Sequence, residues 1–460
     1  MIEMTLAEIA EAVGGVAHGE ATVTGGAFVD TRTPEPGGLF VAVEGERVDG
    51  HDFAGTALAA GAAAVLGSRP TEAPTVVVDD VVRAVGVLAR HVVDQLPDTT
   101  VLALTGSQGK TGTKDYLAHV LEAAGPTVAT RGNFNNEIGV PLTVLRATEE
   151  TRYLVVEMGA RGIGHVGYLC TVAPPTVAAV LNVGTAHIGE FGSREAIAQA
   201  KGEIVEALPA HGTAVLNAED PLVAAMAERT VAQVRTFGPP PADVAVSDLV
   251  SDELGRQSFD LTHLGSGATV HLAQVGAFQW RNAAAAAAMA LAAGVDLDTV
   301  ADALADAQSA SRWRMEVSER SDGAVVVNDA YNANPESMEA ALESLQVIGR
   351  SSGRRTVAVL GEMLELGPDA EQAHRRVGDF AQAAGVDVLV TVGEMAAHMA
   401  TGWPREAIIT AGRDEALVWL RENVSAADVV LVKASRGAAL EVVVEGLLAP
   451  DPGGTEGSNA

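Results

Sequence analysis

A short segment beginning at Thr105 carries residue types that bind phosphate groups. It reads Thr-Gly-Ser-Gln-Gly-Lys-Thr-Gly and lies between an apolar run and a helical pattern. Gly106 and Gly109 permit backbone conformations that other residues avoid, and the unpaired amides that open the following helix favour an anion. Lys110 adds a cation for the outer phosphates, and Thr111 adds a hydroxyl for the accompanying magnesium ion. The segment therefore predicts a nucleoside triphosphate site.

The segment is a short variant of the common phosphate-loop pattern, because Leu104 stands where that pattern has its first glycine. Similar strings also occur in ordinary turns. The alternative is thus a turn that binds no ligand, and residues elsewhere in the chain must decide between the two.

Two polar residues follow other apolar, strand-like runs. Glu157 closes the run from Tyr153, and His187 follows the run 176–183. Ligands of open parallel sheets bind beyond the carboxyl ends of the strands, so both residues are candidates for the site. A carboxylate beside a phosphate loop is suited to magnesium. The alternatives are a glutamate that turns the chain into solvent and an ordinary loop histidine.

Lys201 falls within the apolar face of a predicted helix that is capped by Ser193. The face consists of Ile197, Ile204, Val205 and Leu208. At 100° per residue the lysine amine points inward, where a cation is costly. It therefore extends to solvent, pairs with a carboxylate, or loses its charge. A neutral amine can add carbon dioxide, and the resulting carbamate is an oxygen ligand for a metal ion.

Composition excludes several classes of protein. The 460 residues include 30 Lys and Arg against 60 Asp and Glu, a formal charge of -30, which argues against nucleic-acid and membrane-surface partners. Cys170 is the only cysteine, so no intrachain disulfide can form. The first 19 residues lack a signal-peptide pattern, and the longest apolar run, 283–293, is too short to insert into a membrane. We expect a cytosolic protein.

The chain divides into three α/β blocks and a tail. We predict a small N-terminal module over 1–97, a central phosphate-loop domain with a mostly parallel sheet over 98–315, and a C-terminal Rossmann-like domain over 316–450. The last block lacks a Gly-x-Gly-x-x-Gly motif. The tail 451–460 contains no apolar residues except alanine, and we expect it to be disordered.

Several further segments resemble the Mur ligase family of ATP-dependent amide-forming enzymes. The similarity runs from about residue 30 to residue 446 and is carried by 30–32, 38–42, 49–53, 132–141, 157–160, 187–193, 328–338 and 361–367. The last two, Asn-Asp-Ala-Tyr-Asn-Ala-Asn-Pro-Glu-Ser-Met and Gly-Glu-Met-Leu-Glu-Leu-Gly, are the most specific. They resemble the branch of the family that adds D-alanyl-D-alanine.

The resemblance implies a role for each matching residue. The residues that it implies for ATP binding are Gly106, Ser107, Gln108, Gly109, Lys110, Thr111, Gly112, Asn282, Arg314 and Asp329. Two magnesium ions are assigned to Thr111, Glu157, His187 and a carbamylated Lys201. The residues that it implies for substrate binding are Thr31, Arg32, Asn135, Asn136, Asn332, Asn334, Lys433, Ser435 and Arg436. Those that it implies for catalysis are Lys110, His187, Lys201 and Arg314. Without the resemblance, Asn282 would be interpreted as a helix cap, Asp329 as a turn residue and Arg436 as an exposed loop cation.

The resemblance also implies a reaction. ATP phosphorylates the terminal carboxylate of UDP-N-acetylmuramoyl-tripeptide, and the amine of D-alanyl-D-alanine attacks the acyl phosphate, giving a peptidoglycan precursor, ADP and phosphate. One alternative is another amide ligase, such as the tripeptide-forming Mur enzyme or a folylpolyglutamate synthetase, which would share the central block. The other is a nucleotide-binding scaffold without catalysis.

Overall fold

The computed structural model describes residues 1–45, 48–184, 191–309, 311–405 and 407–449. The chain forms two compact units. The first comprises Met1–Val183, Glu195–Ala245 and Ala284–Ala303, and the second comprises the described parts of the remaining chain. His187 and the tail 451–460 lie outside the described residues.

The N-terminal region is a small α/β layer within the first unit. Its elements are β1 (Met4–Thr5), α1 (Leu6–Val13), β2 (Val16–His18), β3 (Thr22–Val23), β4 (Ala27–Phe28), β5 (Leu39–Val41), a 3-10 helix (Gly50–Phe53), α2 (Ala54–Ala59), β6 (Ala64–Gly67), β7 (Thr75–Val77) and α3 (Val81–Asp94). The sheet order is β2-β7-β6-β5-β4, with β2 antiparallel and the other pairs parallel. The short apolar runs 38–43 and 75–78 of this region contain strands β5 and β7.

The central region of the first unit alternates strands and helices. Its elements are β8 (Thr100–Thr105), α4 (Lys110–Ala124), β9 (Thr127–Ala129), α5 (Gly139–Val144), β10 (Tyr153–Glu157), α6 (His165–Val172), β11 (Val177–Val180), α7 (Arg194–Glu206), β12 (Thr213–Asn217), α8 (Pro221–Ala224), a 3-10 helix (Ala225–Arg229) and β13 (Gln233–Gly238). These strands pair in parallel in the order β13-β12-β11-β8-β10-β9. β8, β10 and β11 are apolar along most of their length because parallel strands are covered on both faces.

The next elements are β14 (Val244–Ser251), β15 (Arg256–His263), β16 (Ser266–Val275), α9 (Gln279–Ala292) and α10 (Leu297–Asp306). β15 and β16 form an antiparallel hairpin. The alanine-rich run predicted as the longest apolar stretch lies in α9, where residues 283–290 are buried. In the part of the chain that the structure describes, no helix has the length and apolar character needed to cross a bilayer.

The C-terminal region lies in the second unit. Its elements are β17 (Glu316–Glu319), β18 (Val325–Asp329), α11 (Pro335–Ser352), β19 (Arg355–Gly361), a 3-10 helix (Gly367–Asp369), α12 (Ala370–Ala384), β20 (Val388–Val392), a 3-10 helix (Ala396–Ala400), β21 (Ile408–Thr410), α13 (Arg413–Asn423), β22 (Asp428–Lys433), a 3-10 helix (Arg436–Ala438) and α14 (Glu441–Leu448). The order is β17-β18-β22-β19-β20-β21, and only β17 is antiparallel.

Strand β18 shows how this C-terminal sheet is covered. Val325 and Val327 pack in one hydrophobic cluster and Val326 packs in another, so helices cover both faces. The strand order of the sheet places the last strand of the chain, β22, between β18 and β19 and pairs Asp329 with Lys433 at the carboxyl ends. The fold therefore brings together two predicted site residues that are far apart in the sequence.

Candidate active site

The phosphate loop of the first unit joins β8 to α4. Gly109 precedes the helix with φ 77°, a left-handed conformation that favours glycine. A Cβ on Gly106 would lie 2.9 Å from Leu181 Cβ, so a side chain there would be crowded. Lys110, Thr111 and Gly112 open the helix, where backbone amides have no intrahelical partner. The loop thus has the backbone geometry predicted for an anion site.

Asn182 holds this loop and was missed by sequence reasoning. Its side chain accepts a hydrogen bond from the Gln108 amide at 2.9 Å and donates to the Gln108 carbonyl at 3.2 Å. Its own carbonyl accepts from the Ser107 amide at 3.1 Å. Asn182 follows β11, the parallel neighbour of β8, and a polar residue after an apolar run was the available signal.

A buried carboxylate faces the helix that follows the loop. Glu157 is 1% exposed, and its Oε2 accepts a hydrogen bond from Thr111 Oγ1 at 3.0 Å. Its Oε1 accepts from Asn135 Nδ2 at 2.8 Å. Hard oxygen donors of this kind fit magnesium, so Thr111 and Glu157 meet the chemical requirement for the first predicted ion. The alternative of a solvent-directed glutamate is wrong.

The second predicted ion cannot be assessed in the same way, because His187 lies outside the described residues. The described residues contain no cluster of three or more His, Cys, Asp or Glu side chains suited to a metal. The other predicted ligand of the second ion, Lys201, lies within the described residues, in α7.

Lys201 points into the fold, as its helix position predicts. The residue is 5% exposed. Burial, and to a smaller extent the charge of Lys110, lowers the pKa of the Lys201 amine well below its ordinary value. Lys110 donates to the Gly106 carbonyl at 2.7 Å. A buried amine with a lowered pKa is neutral more often than a surface lysine, which is the form that adds carbon dioxide.

Helix α7 is anchored on both sides of Lys201. Arg229 donates to the carbonyls of Ala198 at 3.0 Å and Gln199 at 2.8 Å. It occupies the space beside Gly202, where a Cβ would lie 2.0 Å from Arg229 Nη1.

Glu203, on the same helix, is buried and anchors α7 to helix α6. Its carboxylate accepts from the amides of Gly164 at 2.6 Å and Gly167 at 2.8 Å, at the start of α6. These contacts fix the segment of α7 that carries Lys201.

The predicted substrate residues of the first unit differ in exposure. Arg32 is 87% exposed and contacts both carboxylate oxygens of Asp30, whose pKa its hydrogen bonds lower to about 2. Thr31 is half-buried. Asn136 Oδ1 accepts from the amides of residues 138 and 139 at the start of α5. Arg32 is therefore the predicted residue best placed to bind a dissolved anion.

Asp329 and Lys433 form an ion pair at the edge of the C-terminal sheet. Lys433 Nζ lies 2.6 Å from Asp329 Oδ2 and donates to the Asn332 carbonyl at 2.7 Å. The Lys433 side chain is 3% exposed and the Asp329 side chain is 13% exposed. The remaining Asp329 oxygen accepts from the Met315 amide at 3.2 Å. Asp329 is thus a fixed carboxylate at a strand end, and Lys433 is committed to holding it.

Arg314 stacks on an aromatic ring. Its guanidinium carbon lies 4.2 Å from the centre of the Tyr331 ring. Its Nε is buried, with no hydrogen-bond partner among the described residues. A buried donor without a partner is unfavourable in the protein alone, so Arg314 suits an anionic ligand.

The remaining predicted residues of the second unit make local contacts. Asn282 lies inside α9, buried, and donates to Gln279 Oε1 at 2.9 Å, so it is not a helix cap. Asn334 is the N-cap of α11. Asn332 is exposed. Ser435 Oγ accepts from the Leu364 amide at 3.0 Å and donates to a carbonyl, whereas Arg436 keeps a half-exposed side chain.

A parallel sheet with a phosphate loop, and a buried carboxylate opposite the threonine of that loop, define a nucleotide-binding α/β protein. Three family descriptions match the chain: Mur ligase family, catalytic domain at residues 26–102; Mur ligase middle domain at 104–290; and Mur ligase, glutamate ligase domain at 313–436. The chain belongs to the Mur ligase family. The predicted α/β class and family are confirmed.

Individual relatives resemble the chain over nearly its whole length. The UDP-N-acetylmuramoyl-tripeptide–D-alanyl-D-alanine ligase of Mycobacterium tuberculosis is 44% identical, covering 99% of each chain. The enzyme of the same name from Escherichia coli is 37% identical over 97% of this chain and 99% of the other. The fold is similar to that of a crystal structure of MurF from Acinetobacter baumannii, with a TM-score of 0.87 and 32% identity over 97% of this chain and 99% of the other. It is also similar to a crystal structure of MurF ligase from Thermotoga maritima in complex with ADP, with a TM-score of 0.78 and 31% identity over 92% of this chain and 96% of the other.

Proposed function

We propose that this chain is a cytosolic ATP-dependent ligase that joins D-alanyl-D-alanine to UDP-N-acetylmuramoyl-tripeptide. The observation that carries the proposal is the phosphate loop whose Thr111 contacts the buried Glu157, in the same unit as the buried amine of Lys201. Relatives of that name match nearly the whole chain, and one MurF structure contains ADP, which supports the choice of nucleotide.

The loop amides and Lys110 hold the ATP phosphates in this proposal. Thr111 and Glu157 hold a magnesium ion, and His187 with a carbamylated Lys201 holds a second. Bound magnesium neutralises the charge that builds up when two anions meet. Burial lowers the pKa of the Lys201 amine, which supports carbamate formation because only an unprotonated amine adds carbon dioxide.

Three other predicted residues bind the nucleoside and the transferred phosphate. Asn282 contacts adenine and Asp329 contacts the ribose, while Arg314 binds the γ-phosphate. The buried Arg314 Nε has no hydrogen-bond partner among the described residues, which supports a role for this guanidinium with an anion. In the first unit, Arg32 binds the uridine nucleotide of the peptide substrate, and its 87% exposed side chain supports that role.

The reaction proceeds in two steps. An oxygen of the peptide carboxylate attacks the γ-phosphorus, and the bond to ADP breaks to give an acyl phosphate. The neutral amine of D-alanyl-D-alanine then attacks the acyl carbon, loses a proton, and expels inorganic phosphate. Lys110 and Arg314 stabilise the negative charge on the transferred phosphoryl group in the first step.

Acceptor-dependent phosphate release tests the function. The chain is incubated with ATP, magnesium, one acceptor and one carboxylate substrate, which is UDP-N-acetylmuramoyl-tripeptide, the corresponding UDP-N-acetylmuramoyl-dipeptide or a folate, and phosphate is measured. We expect turnover with D-alanyl-D-alanine and none with single amino acids. Turnover with glutamate or diaminopimelate instead would identify another amide ligase, and no turnover with any acceptor would leave a nucleotide-binding scaffold.

A variant of the buried lysine tests the chemistry separately from binding. Lys201→Ala is expected to abolish acyl-phosphate formation while ATP still binds. Glu195→Ala, an exposed position on the same helix, is the matched control and should keep wild-type turnover. Unchanged turnover in Lys201→Ala would show that the buried amine has only a structural role.

A further inference from the structure

Arg436 is held by two side chains at the loop that follows β22. Its Nη1 donates to Glu441 Oε1 at 2.6 Å, and its guanidinium carbon lies 4.4 Å from the centre of the Trp313 ring. The Arg436 side chain is 50% exposed, whereas Glu441 is 9% exposed. A cation over an indole face with a carboxylate at one edge has a restricted orientation.

The backbone at Trp313 is unusual for so large a residue. Its φ is 59°, in the left-handed region that side chains of this size rarely adopt. Two hydrogen bonds fix this conformation: the Trp313 amide donates to Glu316 Oε2 at 3.1 Å, and its carbonyl accepts from the Tyr331 amide at 3.2 Å. A conformation of this kind persists only where surrounding contacts determine it. Here it turns the indole onto Arg436.

Of the three residues predicted to bind substrate in this loop, Arg436 alone combines exposure with uncommitted donors. The Lys433 amine is buried against Asp329, and the Ser435 hydroxyl is buried between neighbouring loops. Arg436 has five N–H donors, and the described residues supply one hydrogen-bond acceptor, on Glu441. The planar fork that remains matches a carboxylate.

We propose that Trp313 is a specificity-determining residue of the acceptor site, which it shapes by orienting Arg436 toward the free carboxylate of the acceptor dipeptide. The proposal rests on the proposed function, because D-alanyl-D-alanine carries a carboxylate at the end opposite its reacting amine. In a chain with a formal charge of -30, an anionic acceptor needs a local cation. Trp313 and Glu441 are positioning residues, and Arg436 contacts the ligand.

Two acceptors that differ only in that carboxylate test the proposal: D-alanyl-D-alanine and its C-terminal amide. For each enzyme, kcat/KM for both acceptors is measured by phosphate release. A charge-assisted, bidentate contact predicts a preference of about 10- to 100-fold for the free acid in the wild type. Arg436→Met should reduce the preference to near one. Arg421→Met, which removes an exposed guanidinium bound to the Gly446 carbonyl, should leave it unchanged.

Three substitutions at Trp313 separate its ring from its backbone. Trp313→Gly removes the indole but suits the left-handed φ, so folding is maintained, and we expect the preference for the free acid to fall about 3- to 30-fold. Trp313→Leu should behave similarly, whereas Trp313→Phe keeps an aromatic face and most of the preference. KM for ATP should not change in any of them.

Equal use of the acid and the amide by the wild type, with full turnover, would overturn this assignment and leave the proposed function intact. A wild-type preference that persists in Trp313→Gly would overturn the role of the indole. Absence of turnover with either acceptor would instead refute the proposed function together with this extension of it.

Discussion

Removing one member of the ion pair between Lys433 and Asp329 should strongly destabilise the C-terminal sheet locally, because it leaves a buried charge without a partner. Lys433→Met keeps the apolar stem of the side chain and removes the amine. The substitution deletes two contacts, of 2.6 Å to Asp329 Oδ2 and 2.7 Å to the Asn332 carbonyl. With the side chains 3% and 13% exposed, Asp329 would keep a largely buried charge without its partner. Breaking such a pair costs about 3–5 kcal/mol, and the partial exposure of Asp329 favours the lower value.

Native-state hydrogen exchange measures this loss where it occurs. Amides of β18 and β22 should lose about 100-fold of their protection, since each factor of ten corresponds to about 1.4 kcal/mol. Arg375→Met is the matched control, because the Arg375–Glu371 pair is also in the second unit but 47% and 54% exposed. An exposed pair contributes about 0.5 kcal/mol, so the control should change protection only about twofold.

A second variant identifies the cause of the loss. Adding Asp329→Asn to Lys433→Met removes the unpaired charge, so the double variant should be more protected than Lys433→Met alone. The reasoning fails if Lys433→Met resembles Arg375→Met, or if the double variant is no more protected than the single one.

Three other perturbations have expected outcomes. Gly109→Ala should raise KM for ATP about tenfold, because an alanine at φ 77° is strained by about 1–2 kcal/mol in the loop that holds the phosphates. Gly353 also has a left-handed φ, of 68°, and an added Cβ there would have no atom within 4 Å, so Gly353→Ala is the control and should leave KM unchanged. Burial lowers the pKa of His374. The stability that its neutral ring supplies is therefore complete above about pH 6.5 and is lost as the pH falls toward the folded-state pKa. Urea unfolding of wild type and His374→Gln from pH 8 to 5 should show a steeper loss of stability in the wild type. Gly202→Ala should displace Arg229 from α7, lowering both Tm and turnover, and wild-type values for both would contradict the anchoring role.

The His374 prediction has a specific structural basis. The ring Nδ1 donates to the Ala370 carbonyl at 2.7 Å, and Nε2 accepts from the Met363 amide at 3.0 Å. Protonation would replace the acceptor Nε2 with a donor facing that amide. The segment that begins at Gly361 would therefore lose its anchor at low pH. Equal pH dependence in wild type and variant would contradict this account.

Sequence patterns were sufficient to predict the strands that carry the site. The runs ending at Thr105 and Glu157 are apolar because their strands are buried on both faces, and a polar residue that ends such a run is conspicuous. The inward direction of Lys201 followed from helical periodicity alone. These features depend on neighbours close in the sequence, which is why they could be predicted.

Contacts that depend on strand order could not be predicted. Asn182 contacts the phosphate loop because β11 pairs with β8, and Lys433 contacts Asp329 because the last strand lies beside β18. No local pattern encodes either neighbour. The cation–aromatic contact of Arg436 depends in addition on a left-handed backbone at Trp313, a conformation that the sequence of a non-glycine residue does not indicate.

In so acidic a chain, anion recognition depends on how the individual cations of the second unit are held. Beyond about 8 Å at physiological ionic strength, the excess of acidic side chains neither attracts nor strongly repels an anion, so recognition depends on individual nearby cations. Each one is restrained by a different neighbour: Tyr331 beneath Arg314, Trp313 beneath Arg436 and Asp329 against Lys433. A ring face orients a guanidinium without consuming its N–H donors, and the one carboxylate that contacts Arg436, on Glu441, accepts from a single donor. The buried Lys433 amine instead donates to a carboxylate and to a carbonyl. The two arginines therefore keep donors for ligands, and the lysine, held by a carboxylate, serves the fold.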